Sequence, residues 1–235
     1  DAIDPSKNPN SANCYNNYEP NKGYMYCNLN YNMAGTIVEK ITGIRFDNYI
    51  QQQILSPLGL YGGYNVSQLD SNLFAKLYEF NKSNGTFTLS PNAYDPRTDE
   101  INHYIIGRST PIFSPTGGMK ISAHDLAVYM TMHSQLGKYK SVRIMPKKLA
   151  KQMQAILSVE EGYGMAIETT NKLIEGKSMI GHTGSAYGLN SIMFFEPKEK
   201  FGFIVISNGS DNKVFNGFNA VLHKTTNVLY NCFIQ

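Results

Sequence analysis

The feature that most constrains the fold is a change in apolar period near residue 160. Upstream of it apolar residues recur at helical spacing, whereas downstream four short segments alternate apolar and polar residues as half-buried strands do. These segments cover residues 163–169, 178–183, 189–195 and 201–207. Pro197-Lys198-Glu199-Lys200 separates the last two and is typical of a hairpin turn. The sequence therefore predicts an antiparallel sheet in its C-terminal part.

Amphipathic helices are predicted on both sides of these segments. Residues 33–54 have helical apolar spacing that breaks at Thr42-Gly43, which predicts two helices. Ser122-Ala123-His124-Asp125 has the form of a capping box and opens a third helix that runs to residue 133. Residues 146–157 and 212–233 have the spacing of two more. The predicted fold class is therefore α/β of the α+β type, with an antiparallel sheet flanked by helices.

Composition and apolar period along the sequence suggest one partial domain over residues 1–235. A stretch rich in Asn, Pro, Tyr and Ser opens the chain without any period. Later, residues 78–88 are expected to form a short hairpin around Asn84-Gly85. The predicted regions are an irregular arm at 1–24, a mainly helical region at 25–160 with a loop-rich insertion at 61–111, and strands with a final helix at 161–235.

Composition excludes several classes of function. The chain is 42% hydrophobic, enough for a substantial core, and its 21 Lys and Arg against 18 Asp and Glu are scattered, which argues against a nucleic-acid partner. No apolar run approaches the roughly 20 residues that a transmembrane helix needs. The three cysteines lack metal-ligand spacing, so no metal or organic cofactor is expected.

Five short motifs occur in a fixed order, and the order carries more weight than any one of them. Together they resemble the family of class C β-lactamases, D-alanyl-D-alanine carboxypeptidases, D-aminopeptidases and related esterases, over residues 24–233. The resemblance implies a β-lactamase/transpeptidase-like fold. The motifs are Tyr26-Cys27-Asn28, Ser56-Pro57-Leu58-Gly59-Leu60, Thr116-Gly117-Gly118-Met119, Ser122 with Asp125-Leu126, and His182-Thr183-Gly184 followed by Gly188 and Asn208.

The resemblance implies catalytic roles for the first motif. Tyr26 would be the phenol that exchanges a proton with the nucleophile and the leaving group. A phenol does this at neutral pH only when neighbouring cations lower its pKa or a paired lysine shares the proton. Asn28 would hydrogen-bond that lysine and the amide of the substrate. Taken alone, Tyr26 fits better as one of 16 tyrosines, packing against the following helix.

The last motif is similar to the family's Lys-Thr-Gly or His-Thr-Gly strand and implies substrate binding. Thr183 would offer its hydroxyl to a substrate carboxylate or carbonyl, and Gly184 would let a substrate backbone lie against the strand. The backbone N–H of Ser185 would supply one oxyanion donor. His182 stands where the family's β-lactamases usually have Lys, which favours a peptidase or esterase.

The nucleophile of this family lies in a Ser-x-x-Lys motif upstream of Tyr-x-Asn, and no such motif precedes Tyr26. Its one occurrence, Ser210-Asp211-Asn212-Lys213, follows His182 and is expected to cap the final helix through Ser210 or Asp211. The resembled fold also pairs the last strands with an N-terminal segment. A chain without that segment would keep an unpaired strand edge and an incomplete core, so it is not expected to fold alone.

Three explanations stay open for the nucleophile. A second chain carrying Ser-x-x-Lys, made by cleavage of one precursor within residues 1–24, would complete the site. The sequence could instead be part of a longer chain with the same function. In the third, the protein is a catalytically inactive scaffold or binding protein that keeps the fold.

The function expected from these motifs is a serine hydrolase that cleaves an amide or ester through an acyl-serine intermediate. Its substrate would be a small peptide, an ester or a lactam. An extracytoplasmic glycoprotein, secreted or lumenal, is expected because four segments match the glycosylation acceptor pattern. They begin at Asn65, Asn81, Asn84 and Asn208.

Overall fold

A computed structural model describes residues 3–91 and 94–235, so residues 1, 2, 92 and 93, in the predicted arm and insertion, lie outside it. Helix α1 (Asn28–Thr42) ends at Gly43, whose φ of +67° is left-handed. Residues with a side chain rarely adopt this backbone conformation, which is why a glycine ends the helix. The predicted break at Thr42-Gly43 is therefore confirmed. Helix α2 (Phe46–Ile50) continues through a π-helical turn, Gln51–Leu55, into α3 (Ser56–Leu58).

The predicted insertion has little regular structure and contains the expected hairpin. Gly85, with φ of +70°, lies in its turn. The backbone N–H of Tyr78 donates to the carbonyl of Asn208, which ties the hairpin to the end of the main sheet. The elements in and beside this region are β1 (Gly62–Gly63), β2 (Leu77–Asn81), β3 (Thr86–Ser90), α4 (Thr98–Asn102) and β4 (Lys120–Ile121), with β1 paired to β4 and β2 to β3.

The capping box is confirmed at the start of α5 (Ala123–Ser134). The Asp125 N–H donates to Ser122 Oγ at 3.0 Å, and Ser122 Oγ donates to the Asp125 carboxylate at 2.8 Å. The two groups satisfy each other at the helix end, where backbone donors have no partner within the helix. The chain continues through β5 (Lys138–Tyr139), β6 (Val142–Arg143) and α6 (Lys147–Gln154).

The main sheet is antiparallel with four strands in the order β10, β9, β8, β7. Three of the predicted strands are confirmed, but the segment at 163–169 is wrong. Tyr163 makes only isolated bridges to Ser158 and Glu168. Gly162 and Ala166 have φ of +68° and +63°, and such left-handed residues interrupt a strand. The strands are β7 (Glu168–Thr170), β8 (Met179–Ala186), β9 (Leu189–Glu196) and β10 (Phe201–Ser207).

The final helix begins later than the predicted residue 212. Strands β11 (Val214–Phe215) and β12 (Phe218–Asn219) form a small hairpin first, and α7 spans Ala220–Phe233. The turn of this β11–β12 hairpin is Asn216-Gly217, with φ of 50° and 85°, a residue pair that favours a tight hairpin. Asn219 caps α7 by accepting from the Val221 N–H, so the predicted cap at Ser210 or Asp211 is wrong.

Helices cover both faces of the main sheet. On one face, Phe194 of β9 packs with Phe218 of β12 and Leu222 of α7. On the other, Phe195 packs with Met130 of α5. The predicted α+β architecture is therefore confirmed. No helix among the described residues is long and apolar enough to cross a membrane.

Candidate active site

The first and last motifs of the sequence meet in space. Tyr26 precedes α1 and His182 lies in the middle of β8, and their ring centroids are 6.1 Å apart. The ring of Tyr163 is 6.1 Å from Tyr26 and 5.9 Å from His182, and Tyr24 stacks on Tyr163 at 5.2 Å. Tyr26 is 51% exposed, so its phenol is open to an approaching group. An aromatic cluster thus surrounds the histidine of the His-Thr-Gly motif.

A buried carboxylate holds α1, and with it Tyr26, against the rest of the protein. Glu39 is completely buried and accepts from the backbone N–H groups of Phe46 and Gly107 at 2.7 and 2.6 Å. It also accepts from the hydroxyl of Thr110 at 2.7 Å and from that of Tyr104. Four donors satisfy the charge that burial would otherwise penalise. Glu39 could not be predicted as buried, because a lone Glu in a helix carries no local signal of burial.

Asn28 is the first residue of α1, and its side chain is exposed. Because Asn28 begins the helix, it lies near Tyr26, which is two residues earlier in the chain. Cys27 between them is a half-buried free thiol. No group of three or more His, Cys, Asp or Glu in the described part of the chain has an arrangement that could hold a metal ion.

Half of strand β8 has an open edge. Strand β7 pairs only with residues 179–181, whereas β9 pairs with residues 180–186. Tyr187-Gly188 forms a two-residue turn with φ of 52° and 82°. The pair that closes such a turn, here Ala186 of β8 and Leu189 of β9, is a hydrogen-bonded pair of the antiparallel ladder. Backbone groups alternate between the two edges, and those of Thr183 and Ser185 therefore point away from β9. The Ser185 N–H lies on the open edge, where it can donate to an oxyanion.

His182 is held by hydrogen bonds at both ring nitrogens. Its Nε2 lies 3.0 Å from the hydroxyl of Tyr163, and its Nδ1 contacts the carbonyl of Thr183. A carbonyl only accepts, so Nδ1 carries a proton, and in the neutral ring Nε2 then accepts from Tyr163. Burial, together with the charge of Glu168, raises the pKa of Tyr163 above its ordinary value, so the phenol stays protonated as a donor.

Gly184 is required by a neighbour within the sheet. It pairs with Ser191 on β9, and a Cβ added at Gly184 would lie 2.6 Å from Ser191 Oγ. The family resemblance implies that this glycine lets a substrate backbone approach the strand. The structure gives a further reason, which is the close contact between β8 and β9.

A cleft of about 350 Å³ opens between the start of α1 and the Tyr163 segment. Burial raises the pKa of both Tyr24 and Tyr31 in its wall. Tyr163 was missed as a site residue because its segment was taken for an ordinary strand. The sequence did carry a signal against an ordinary strand here, because Gly162 and Gly164 flank Tyr163. In the structure, the backbone at both glycines lies close to carbonyl groups of neighbouring segments.

A protein-family model described as Beta-lactamase matches residues 11–225. The chain belongs to the β-lactamase family. Its curated relatives include a predicted D-alanyl-D-alanine carboxypeptidase of Salmonella heidelberg (strain SL476), 24% identical over 216 residues. That match covers 85% of this chain and 48% of the relative, and a match in Salmonella typhi is 23% identical with the same coverage. The chain thus spans about half the length of the curated relatives it matches.

Several solved structures share this fold at low sequence identity. The octameric penicillin-binding protein homologue from Pyrococcus abyssi aligns with a TM-score of 0.64 and 24% identity, covering 82% of this chain and 40% of that one. A D-stereospecific amidohydrolase from Streptomyces sp. gives 0.62 and 18%, with 91% and 56% covered. The β-lactamase/D-alanine carboxypeptidase from Pseudomonas syringae gives 0.60 and 16%, with 94% and 62% covered.

The Ser-x-x-Lys occurrence in this β-lactamase-family chain has a structural role. Ser210 is buried, and its hydroxyl accepts from Asn190 Nδ2 at 3.1 Å and Asn219 Nδ2 at 2.7 Å. Lys213 pairs with Asp211 at 2.8 Å rather than with the serine. Ser210 therefore joins β9 to the hairpin before α7, and a nucleophile does not arise there.

Proposed function

We propose that this protein is a serine hydrolase of the D-peptidase type, which cleaves an amide or ester through an acyl-serine intermediate. The serine and its lysine would come from a Ser-x-x-Lys segment outside residues 1–235, either in the same precursor or in a companion chain. The observation that carries the proposal is the position of the Tyr26 phenol, next to His182 and to the open edge of β8.

Residues of this chain would then assist acyl transfer by that external serine and lysine. The seryl oxygen attacks the carbonyl carbon, its proton passes to the Lys and Tyr26 pair, and the carbonyl oxygen becomes an oxyanion that accepts from the Ser185 N–H. The carbon–nitrogen or carbon–oxygen bond to the leaving group breaks as Tyr26 returns a proton to it. Water then cleaves the acyl-serine with the same groups. Asn28 and Thr183 would hold the substrate by hydrogen bonds.

Exposed apolar surface supports the proposed segment. Met33, Ile37 and Ile41 repeat every four residues on α1, and the last two are 54% and 80% exposed. Strand β10 forms one end of the main sheet and has no partner on its outer edge among the described strands. A helix and a strand from the Ser-x-x-Lys segment would cover both surfaces and place the serine at the cleft.

Active-site labelling tests the proposal. The native protein, kept with any polypeptide that co-purifies, is expected to react with a fluorophosphonate and with fluorescent penicillin. The labelled serine, located by mass spectrometry, should lie in a Ser-x-x-Lys sequence outside residues 1–235. Tyr26→Phe should slow labelling by about 10²-fold, since proton transfer by a positioned side chain contributes about 10²–10⁴-fold. Tyr139→Phe, on the β5–β6 hairpin, is the matched control.

An inactive scaffold predicts the opposite result. The protein would then react with neither probe, and no polypeptide bearing Ser-x-x-Lys would accompany it. Labelling of a serine within residues 1–235 would also refute the proposed source of the nucleophile.

We further propose an extracytoplasmic location with glycans at the tip of the β2–β3 hairpin. The side chains of Asn81 and Asn84 are exposed there, and each accepts a hydrogen bond from the hydroxyl two residues later. In the other two acceptor patterns the asparagine is either buried or has its Nδ2 engaged in a hydrogen bond. Asn65 is buried, and Asn208 donates through Nδ2 to the carbonyl of Lys76 at 2.9 Å.

A further inference from the structure

Three asparagines in this chain precede a glycine, namely Asn84, Asn208 and Asn216. An Asn-Gly pair can lose ammonia without an enzyme, because no side chain shields the backbone nitrogen of the glycine. That nitrogen attacks Cγ of the asparagine, the bond from Cγ to Nδ2 breaks, and Nδ2 leaves as ammonia with the proton of the glycine N–H. The succinimide ring that forms then takes up water and opens to aspartate or isoaspartate.

Hydrogen bonds hold the first two of these pairs in place. Asn84 Oδ1 accepts from the backbone N–H and the hydroxyl of Thr86 at 3.1 and 2.7 Å, and the Gly85 N–H donates to a backbone carbonyl at 2.9 Å. At Asn208, Nδ2 donates to the carbonyl of Lys76 at 2.9 Å. These bonds must break before the ring can close, which slows the reaction at both sites.

The third pair lies open at the tip of the β11–β12 hairpin. Asn216 is exposed, and in the described part of the chain neither its side chain nor the Gly217 N–H has a hydrogen-bond partner. A Cβ added at Gly217 would meet nothing within 4 Å apart from its chain neighbours, so the space around the tip is free. Two residue pairs join β11 to β12, whereas five join β2 to β3, so this tip can change conformation at a lower cost.

We propose that Asn216 is a site of spontaneous deamidation in the folded protein and that it reacts faster than Asn84 and Asn208. The reaction needs only water, so it does not depend on the proposed hydrolase activity. Release from one hydrogen bond of about 1 kcal/mol corresponds to about fivefold in rate. Asn216 should therefore react about fivefold faster than Asn208, and its advantage over Asn84 should be at least as large.

The isoaspartate product would disturb the packing beneath the hairpin. It routes the chain through the former side chain and adds one carbon to the backbone of a two-residue turn, so the register of Phe215 with Phe218 is lost. Phe218 is buried and packs edge-to-face on Phe194, with the ring centroids 5.6 Å apart. Asn219, which follows it, caps α7 and donates to Ser210. The modified chain should therefore be less stable than the unmodified one.

Peptide mapping by mass spectrometry tests the ranking of the three sites. The protein is made in a host that does not glycosylate, since a glycan would block Asn84, and is kept with any polypeptide that co-purifies. During incubation at mildly alkaline pH, Asn216 should be deamidated about fivefold faster or more than either other site. In guanidinium chloride, which removes the folded-state hydrogen bonds, the three rates should converge. An Asn216 that reacts no faster than the others, or the same ranking in denaturant, refutes the proposal.

Two variants test the effect on stability. Asn216→Gly removes the reactive amide and suits the left-handed backbone at this position, so in urea unfolding it should not show the loss of stability that incubation causes in the wild type. Freshly prepared Asn216→Asp carries the charge of one product without the added backbone carbon, so it should unfold like the unmodified protein. An equal loss in incubated Asn216→Gly, or in fresh Asn216→Asp, would refute isoaspartate at this turn as the cause.

Discussion

A buried histidine should make the stability of this protein depend on pH. His133 lies on α5 at 2% exposure, and its ring packs edge-to-face on Tyr129 at 4.7 Å. Among the described residues, its Nδ1 has no hydrogen-bond partner. Burial lowers the pKa of His133 from 6.5 to about 4, because the charged ring would lose its water. The folded protein therefore takes up this proton at a lower pH than the unfolded chain does.

The sign and size of the effect follow from that difference. Between pH 6.5 and pH 4 the unfolded state binds more protons, so the free energy of unfolding falls as pH falls through this window. At about 1.4 kcal/mol per pKa unit, the loss amounts to about 3 kcal/mol in full and to about 2 kcal/mol at pH 5. A single domain of ordinary stability, about 5–15 kcal/mol, would lose a substantial part of it.

His133→Phe is the variant that isolates this contribution. It keeps an aromatic ring against Tyr129 and removes the titrating group, so its unfolding free energy should fall about 2 kcal/mol less than that of the wild type between pH 8 and pH 5. The assay is urea unfolding followed by far-ultraviolet circular dichroism, since the chain has no Trp. His124→Gln, at a side chain 88% exposed, is the control. Parallel pH profiles for wild type and His133→Phe would refute the reasoning.

Three further predictions concern positions in and around the site. Glu39→Ala leaves the N–H groups of Phe46 and Gly107 without an acceptor, so it should destabilise the protein by about 3 kcal/mol or more in urea unfolding. Glu100→Ala, at an exposed position, is the control and should change the unfolding free energy little. Equal effects of the two substitutions would contradict this prediction. Gly184→Ala should lower the unfolding free energy by about 1 kcal/mol in the same assay. Adding Ser191→Ala to this variant should restore the lost stability, because it removes the oxygen that the new Cβ would contact. A loss that persists in the double variant would show that another contact causes it. In a host that glycosylates secreted proteins, glycopeptide mass spectrometry should find glycans at Asn81 and Asn84 but not at Asn65 or Asn208, and the reverse pattern would refute the assignment.

Local sequence signals predicted the parts of the fold that local chemistry determines. The break at Gly43 and the cap at Ser122 were predictable because each depends on one residue and its immediate neighbours. The hairpin before α7 was missed although its Asn216-Gly217 turn is a strong signal, because the apolar spacing of the final helix extended across it. Competing periodicities of this kind are resolved by tertiary contacts, here the hydrogen bonds of Ser210 with Asn190 and Asn219.

The site shows the same division more sharply. Tyr26 and His182 could be paired from their motifs, because the family resemblance implies that both motifs belong to one site. The partner of His182 could not, since the contact with Tyr163 depends on where β7 ends. A strand running from residue 163 would have paired Tyr163 along the sheet, whereas β7 begins at Glu168 and leaves the Tyr163 hydroxyl to bond His182. The left-handed residues Gly162 and Ala166 interrupt that strand, so backbone conformation at two positions determines which groups the histidine can offer a substrate.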